Sequence, residues 1–118
     1  MYHILPKSKG NVIGIRVEGW MSAKDDATLL PFVENKIKEY GTIRILLDLR
    51  KYKGSELSGI LKSIPYAFKF ISKVEKEAVI TDQKWIYTWA KLFAPFFKTK
   101  ARCFPSTAVE QAWNWVEK

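Results

Sequence analysis

The side chains able to do chemistry are few and far apart. The chain holds one histidine, His3, and one cysteine, Cys103. A cysteine nucleophile needs a base beside it. His3 falls in a short strand-like N-terminal stretch and reads as a surface or edge residue. Cys103 sits between Arg102 and Phe104, where a buried structural thiol is the simpler reading. A lone cysteine excludes a disulfide scaffold and a cysteine-based zinc site. Asp48 ends an apolar run, at a place where open α/β sheets bind ligands, but no second acid lies near it in sequence to form an acid–base pair. Asp25 and Asp26 fit the first turn of a helix, whose dipole favours acids. No phosphate-binding glycine loop and no metal-ligand spacing occurs. These residues imply a protein that is not an enzyme and that holds no cofactor or metal.

Two constellations remain. In the first, Arg50, Lys51 and Lys53 precede Gly54-Ser55-Glu56-Leu57-Ser58-Gly59, just before a helical pattern begins. A helix N-terminus presents unpaired N–H groups and partial positive charge, so residues 54–59 read as a partner-docking or anion-binding edge. Ser55 also suits the N-cap of that helix, and the two roles are compatible. In the second, Lys84, Lys91, Lys98, Lys100 and Arg102 alternate with aromatics from Trp85 to Phe104, with no acid between Gln83 and Val109. Trp85, Trp89 and Phe93 have helical spacing and read first as core. The same stretch can also serve as a subunit contact, an anionic-membrane contact or an apolar ligand pocket. Phe96 and Phe97, after Pro95, are the pair hardest to bury and the best contact patch.

The elements that must position these groups follow from punctuation and period. Residues 2–6 and Val12 to Glu18 form two strands around a turn at Lys7–Asn11, the second alternating Ile13, Ile15 and Val17 with Gly14 and Arg16. Ser22 and Asp25 fit a capping box, Leu30, Val33 and Ile37 share a helical face, and Gly41 supplies the stop. Pro31 predicts a kink or a fresh start. Ile43 to Leu49 is nearly all apolar, as a strand covered on both faces requires. After a polar loop, Leu57, Leu61, Ile64, Phe68 and Ile71 make an amphipathic stripe, with a bend expected at Pro65. Glu77–Thr81 is a strand, and Asp82 caps the helix of Trp85 and Trp89. Lys100–Phe104 is the last strand. Thr107 and Glu110 fit a capping box for a helix burying Val109, Ala112, Trp113 and Val116. The order β-β-α-β-α-β-α-β-α predicts one α/β domain over residues 1–118. Its sheet is mostly parallel, with an N-terminal antiparallel hairpin.

Composition agrees. Of 118 residues, 47% are hydrophobic and 27% charged, a globular balance, and aromatics reach 14% with five tryptophans. The net charge of +8 favours an acidic partner: a protein, an anionic membrane surface or a nucleic acid. Nucleic acid stands last, since charge alone supports it. No apolar run reaches the ~18 residues of a membrane span, and Met1–Pro6 has no secretory leader. A reduced, cytoplasmic setting is expected.

The order of elements resembles the STAS domain, the fold of bacterial anti-sigma factor antagonists, and more closely the small SpoIIAA-like proteins grouped as STAS/SEC14-like. The resemblance is carried by Val12-Ile-Gly-Ile-Arg-Val-Glu-Gly19, Gly41-Thr-Ile-Arg-Ile-Leu-Leu-Asp-Leu49 and Ala78-Val-Ile-Thr-Asp82 with Trp85. Ala90-Lys-Leu-Phe93, Arg102-Cys-Phe-Pro105 and Ala112-Trp113 complete it. The antagonists carry Asp-Ser-Ser-Gly after the central strand, with a phosphorylated serine. On that pattern Ser55 falls at the phospho-acceptor and Ser58 is the other hydroxyl nearby, but Lys53, Gly54 and Glu56 depart from the motif. The resemblance implies a regulatory module that binds a protein partner, with self-association through Phe96 and Phe97 as a further expectation. Its SEC14-like side implies the rival, a carrier of a lipid or small apolar ligand.

Overall fold

The longest strands carry the most apolar runs, and the whole sheet is built outward from them. The computed structural model describes residues 1–70, 72–93 and 100–118, the side chain of Phe93 excepted. The expectations placed on Ile71, Pro95, Phe96, Phe97 and Lys98, and on the side chain of Phe93, lie outside those residues. Strands β1 (Tyr2–Ile4), β2 (Val12–Met21), β3 (Ile43–Ser55), β4 (Val74–Ile80) and β5 (Lys100–Phe104) form one five-stranded sheet in the order β1-β2-β3-β4-β5. The β1–β2 pair is antiparallel and every other pair is parallel. With helices α1 (Ala23–Tyr40), α2 (Leu57–Phe70), α3 (Lys84–Phe93) and α4 (Val109–Glu117), the expected α/β order is the order observed.

Alternation along the strands sorts side chains onto two faces. Ile13, Ile15, Val17, Met21 and Ile43 pack with Val33 of α1 on one face. Val12, Leu46, Ala78, Ile80 and Phe104 pack with Ala112, Trp113 and Val116 of α4 on the other. Helix α4 lies close: a Cβ on Gly14 would meet the Trp113 ring at 2.5 Å. Arg44 Nη1 and Lys76 Nζ donate to the carbonyls of Val116 and Trp115, at 3.1 Å each. These bonds satisfy C-terminal carbonyls left orphaned at the helix end.

Local signals are met at α1, where Ser22 and Asp25 complete the capping box and Gly41, at φ 82°, closes the helix. Pro31 and Pro65 sit inside α1 and α2 without a fresh helical start. Both prolines are exposed, and so are Ala27 and Leu61, whose carbonyls lose an i+4 donor and can turn to water. At α4 the expected cap is replaced. Residues Ser106–Ala108 form a 3-10 turn, and Ala108 precedes α4 with no side-chain cap bond. Asp82 does not cap α3; its Oδ1 accepts from Ser106 N at 3.0 Å and opens that turn instead.

Candidate functional site

The polar stretch after Leu49 is strand, not loop. β3 continues alongside β2 to Ser55, with register shifts between Arg16 and Glu18 and between Gly19 and Trp20. β4 stops at Ile80, opposite Asp48. The edge of β3 beyond it is met by Gln83, whose Nε2 donates to the carbonyls of Leu49 and Tyr52 at 3.2 and 2.8 Å. Gln83 Oε1 in turn accepts from Trp85 Nε1 at 2.9 Å, and Trp85 lies 6.0 Å from the Tyr52 ring. Trp85 therefore helps close the strand end that carries Ser55.

Ser55 is the last residue of β3 and is not the N-cap of α2. Its hydroxyl pairs with Tyr52 Oη. The carbonyl that begins the helix is that of Glu56, which accepts from Ile60 N at 3.0 Å. Ser58 is exposed, and its Oγ donates to Glu56 Oε1 at 3.1 Å. Glu56 Oε2 reaches across to α1 and accepts from Ala23 N at 2.8 Å. Gly59 is buried where α2 meets α1, with Ala23 Cα 3.1 Å from the place a Cβ would take and the Asp26 carboxylate closer still. Asp26 is raised from its ordinary carboxyl value by burial first, then by the charges of Asp25 and Glu56. The far end of α2 is tied by Lys69 Nζ to Glu34 Oε2 at 2.8 Å.

The helices bearing the predicted stripes do not bury them. Leu57, Leu61, Ile64 and Phe68, the amphipathic stripe of α2, are 68%, 59%, 44% and 72% exposed. Trp85 and Trp89 of α3 are also exposed, contrary to their reading as core, as is Leu92, and Ile86 is the buried residue of that helix among the described side chains. The helices are joined to the body by other residues: Gly59 for α2, and Phe70, which packs beside the α1 core. The sequence showed an apolar face correctly and gave no sign of what covers it. Between α3 and strands β4–β5 a half-open cavity of about 300 Å³ is lined by Val79, Tyr87, Ala90, Lys91, Ala101, Arg102 and Cys103. Burial, then the charge of Glu77, pushes the Cys103 thiol up, so it is a poor nucleophile.

Arg50 and Lys51 do not join Ser55. They line a separate cavity of about 270 Å³ with Arg16, Glu18 and Asp48. Asp48, 3% exposed, accepts from Arg50 Nε and Nη2 at 2.9 and 2.6 Å and from Arg16 Nε at 3.1 Å. Burial alone would raise its pKa. Hydrogen bonds from the Arg50 side chain and backbone, then from Arg16, outweigh it and hold the carboxyl below its ordinary value. Arg16 and Trp20 are residues the sequence reading left unassigned; only the β2–β3 register shows what they face. A Cβ on Gly54, at φ 148°, would meet the Trp20 ring at 2.7 Å. Lys53 is exposed at the second register shift. Among the described residues no three His, Cys, Asp or Glu side chains group as cation ligands, and no helix is long and apolar enough to cross a membrane.

Comparison with known proteins places this geometry. The sequence profile of the SpoIIAA-like family matches residues 12–117. A structure of an uncharacterized DUF3478-family protein with a SpoIIAA-like fold, from Shewanella loihica PV-4, superposes with a TM-score of 0.81 at 15% identity, covering 98% of this chain and 92% of that one. The anti-sigma factor antagonist SpoIIAA in its unphosphorylated form superposes with a TM-score of 0.64 at 12% identity, covering 99% and 98%. No curated protein matches the sequence.

Proposed function

The chain belongs to the SpoIIAA-like family, and we propose that it is a non-catalytic regulatory module that docks a protein partner through the outer face of α2. The observation that carries this reading is the exposed stripe Leu57, Leu61, Ile64 and Phe68. Contiguous apolar surface of this kind marks interaction sites in soluble proteins, and an amphipathic helix offers it at i, i+4 and i+7 spacing. The solved protein with the same fold is an anti-sigma factor antagonist, which supports a protein as the partner of this chain.

Phosphorylation, which the family resemblance suggests, suits Ser58 better than Ser55. Ser55 is half-buried with its hydroxyl engaged by Tyr52, whereas Ser58 is exposed. A phosphate on Ser58 would stand beside Glu56, whose carboxylate ties α2 to Ala23. Like-charge repulsion there disrupts rather than orders, so modification would loosen α2 and alter the docking face.

A second reading has its own observation: α2 and α3 carry Lys62, Lys69, Lys84 and Lys91 and no acid. An apolar helix face ringed by lysines also suits an anionic bilayer. Both readings are tested with a photo-crosslinking residue in place of Phe68 in living cells, alongside flotation of the pure protein with neutral and anionic vesicles. Discrete protein adducts from position 68, lost with Leu61→Ser, are the expected result. Flotation with anionic vesicles alone and no protein adduct overturns the protein-partner reading in favour of the membrane one.

A further inference from the structure

We propose that Arg16, Arg50 and Lys51 form a binding site for a phosphate-class oxyanion on the half of the sheet that α4 leaves bare. Helix α4 covers β4 and β5 to their ends at Ile80 and Phe104 but β2 and β3 only near their starts, over Val12, Gly14 and Leu46. Beyond Asp48, β2 and β3 overhang the shorter β4, and their α4-side residues open into the 270 Å³ cavity. The cavity lies beside the carboxyl end of β4, the side on which open parallel sheets take ligands.

Its cations are arranged for an acceptor. Arg50 follows Asp48 by two residues and its backbone N–H donates to Asp48 Oδ1 at 3.2 Å, while the first register shift sets Lys51 in place of Arg50 opposite Glu18. A bulge re-aims side chains in this way. The buried carboxylate then fixes both guanidinium groups: it takes Nε and Nη2 of Arg50 and Nε of Arg16. Nη1 of Arg50 and both Nη atoms of Arg16 remain unused among the described residues, and these side chains are 36% and 40% exposed. The Lys51 ammonium has no protein partner among the described residues.

A salt bridge that only held the strands together would be complete with one arginine. Here a second arginine and a lysine converge on one cavity whose lining holds three cations and two carboxylates, Asp48 and Glu18, with the Asp82 charge also acting on Arg50 from outside it. Guanidinium forks match the oxygens of a phosphate-class anion. Glu18, on the rim, opposes the anion and limits its affinity. Trp20, two residues past Glu18 on β2 and outside the cavity lining, is 59% exposed with its ring over Gly54, and an organic group carried by the anion would extend toward it. The site is distinct from the α2 face and does not rest on the protein-docking reading.

The test is a titration of the intact chain with inorganic phosphate, followed by NMR of the arginine Nε–H and backbone amide signals, with sodium chloride holding ionic strength constant. The expected result is a saturable shift centred on Arg16, Arg50 and Lys51, with a Kd of about 1 mM or tighter. Lys51→Gln, at an exposed residue without structural bonds, should weaken binding about tenfold, the loss of one charge-assisted contact. Glu18→Gln should tighten it. A parallel titration with glycerol phosphate separates the sources: tighter binding, with a change in Trp20 fluorescence, assigns the site to a phosphorylated small molecule, and equal binding assigns it to the free anion. A drift that does not saturate, that chloride reproduces, or that Lys51→Gln leaves unchanged overturns the proposal.

Discussion

In α4, Ala112, Trp113 and Val116 are buried against the sheet, while in α2, Leu57, Leu61, Ile64 and Phe68 point to solvent. Both helices are amphipathic, and both approach a neighbour at a glycine: Gly14 beneath Trp113 for α4, Gly59 beside Ala23 for α2. The difference lies in what fastens them. The α4 seam is apolar along its length, with Arg44 and Lys76 closing the last turn. The α2 seam joins the Gly59 approach and the Phe70 ring to polar contacts at both ends, Glu56 to Ala23 N and Lys69 to Glu34. Dry packing is insensitive to salt, whereas exposed charge contacts are screened by it. One helix is therefore structural, and the other is held by bonds that a partner, a phosphate or a change of pH can exchange.

The sharpest test sets one truncation on each helix side by side. Trp113→Ala removes a ring filling the space above Gly14 and should destabilise the fold by about 3–5 kcal/mol, the range for emptying an aromatic core site. Phe68→Ser removes a ring that is 72% exposed and should change stability by no more than about 0.5 kcal/mol. Urea denaturation of both variants measures the contrast. If Phe68→Ser unfolds the chain as readily as Trp113→Ala, α2 is packed and the contrast drawn above is wrong.

The bare part of the α4 side, where charge replaces apolar packing, gives the next effect. Asp48 has a folded-state pKa below its unfolded value near 3.9. Its contribution is therefore present above that value and is lost as pH falls through the lower folded-state pKa. Asp48→Asn should lower stability at pH 7 by about 1–3 kcal/mol, the range for hydrogen bonds to a charged group. Urea midpoints measured down the acid range should show the two proteins converging as the wild-type carboxylate protonates. Curves that stay parallel would mean that the arginines do not hold this carboxylate ionised.

Sequence and structure agree where a residue's role depends on its near neighbours. The run Ile43 to Leu49 marked the central strand because burial on both faces leaves few polar positions, here Arg44 and Asp48, to break it. Ser22, Asp25 and Gly41 marked the ends of α1 because capping is local. The extension of β3 to Ser55 was hidden, since Arg50, Lys51, Lys53 and Gly54 read as loop. The segment is strand because β2 pairs with Lys51, Tyr52, Gly54 and Ser55, with Arg50 and Lys53 as the extra residues at the two register shifts. The Arg16–Asp48 contact spans 32 residues and exists only through the strand register. Likewise, a four-and-three stripe shows that α2 has an apolar side but carries no information on distance from the sheet. Glu56, 33 residues from the amide it binds, holds that distance.

The smallest predicted effect probes the α2 seam itself. The Asp26 carboxylate lies against Gly59, in the first turn of α2, where a helix dipole favours negative charge. Partial burial, Asp25 and Glu56 oppose it, and the balance raises the pKa. A carboxyl raised on folding binds its proton more tightly in the native state, so it weakens the fold above that pKa and stops doing so once protonated. Asp26→Asn should therefore stabilise the protein at pH 7, by less than about 1 kcal/mol, and the gain should vanish as pH drops below the carboxylate range. Thermal melts at pH 7 and pH 3 decide it. A loss of stability at pH 7 would show that the dipole of α2 outweighs burial and repulsion, and that α2 is clamped to α1 by the very charge a phosphate on Ser58 would have to displace.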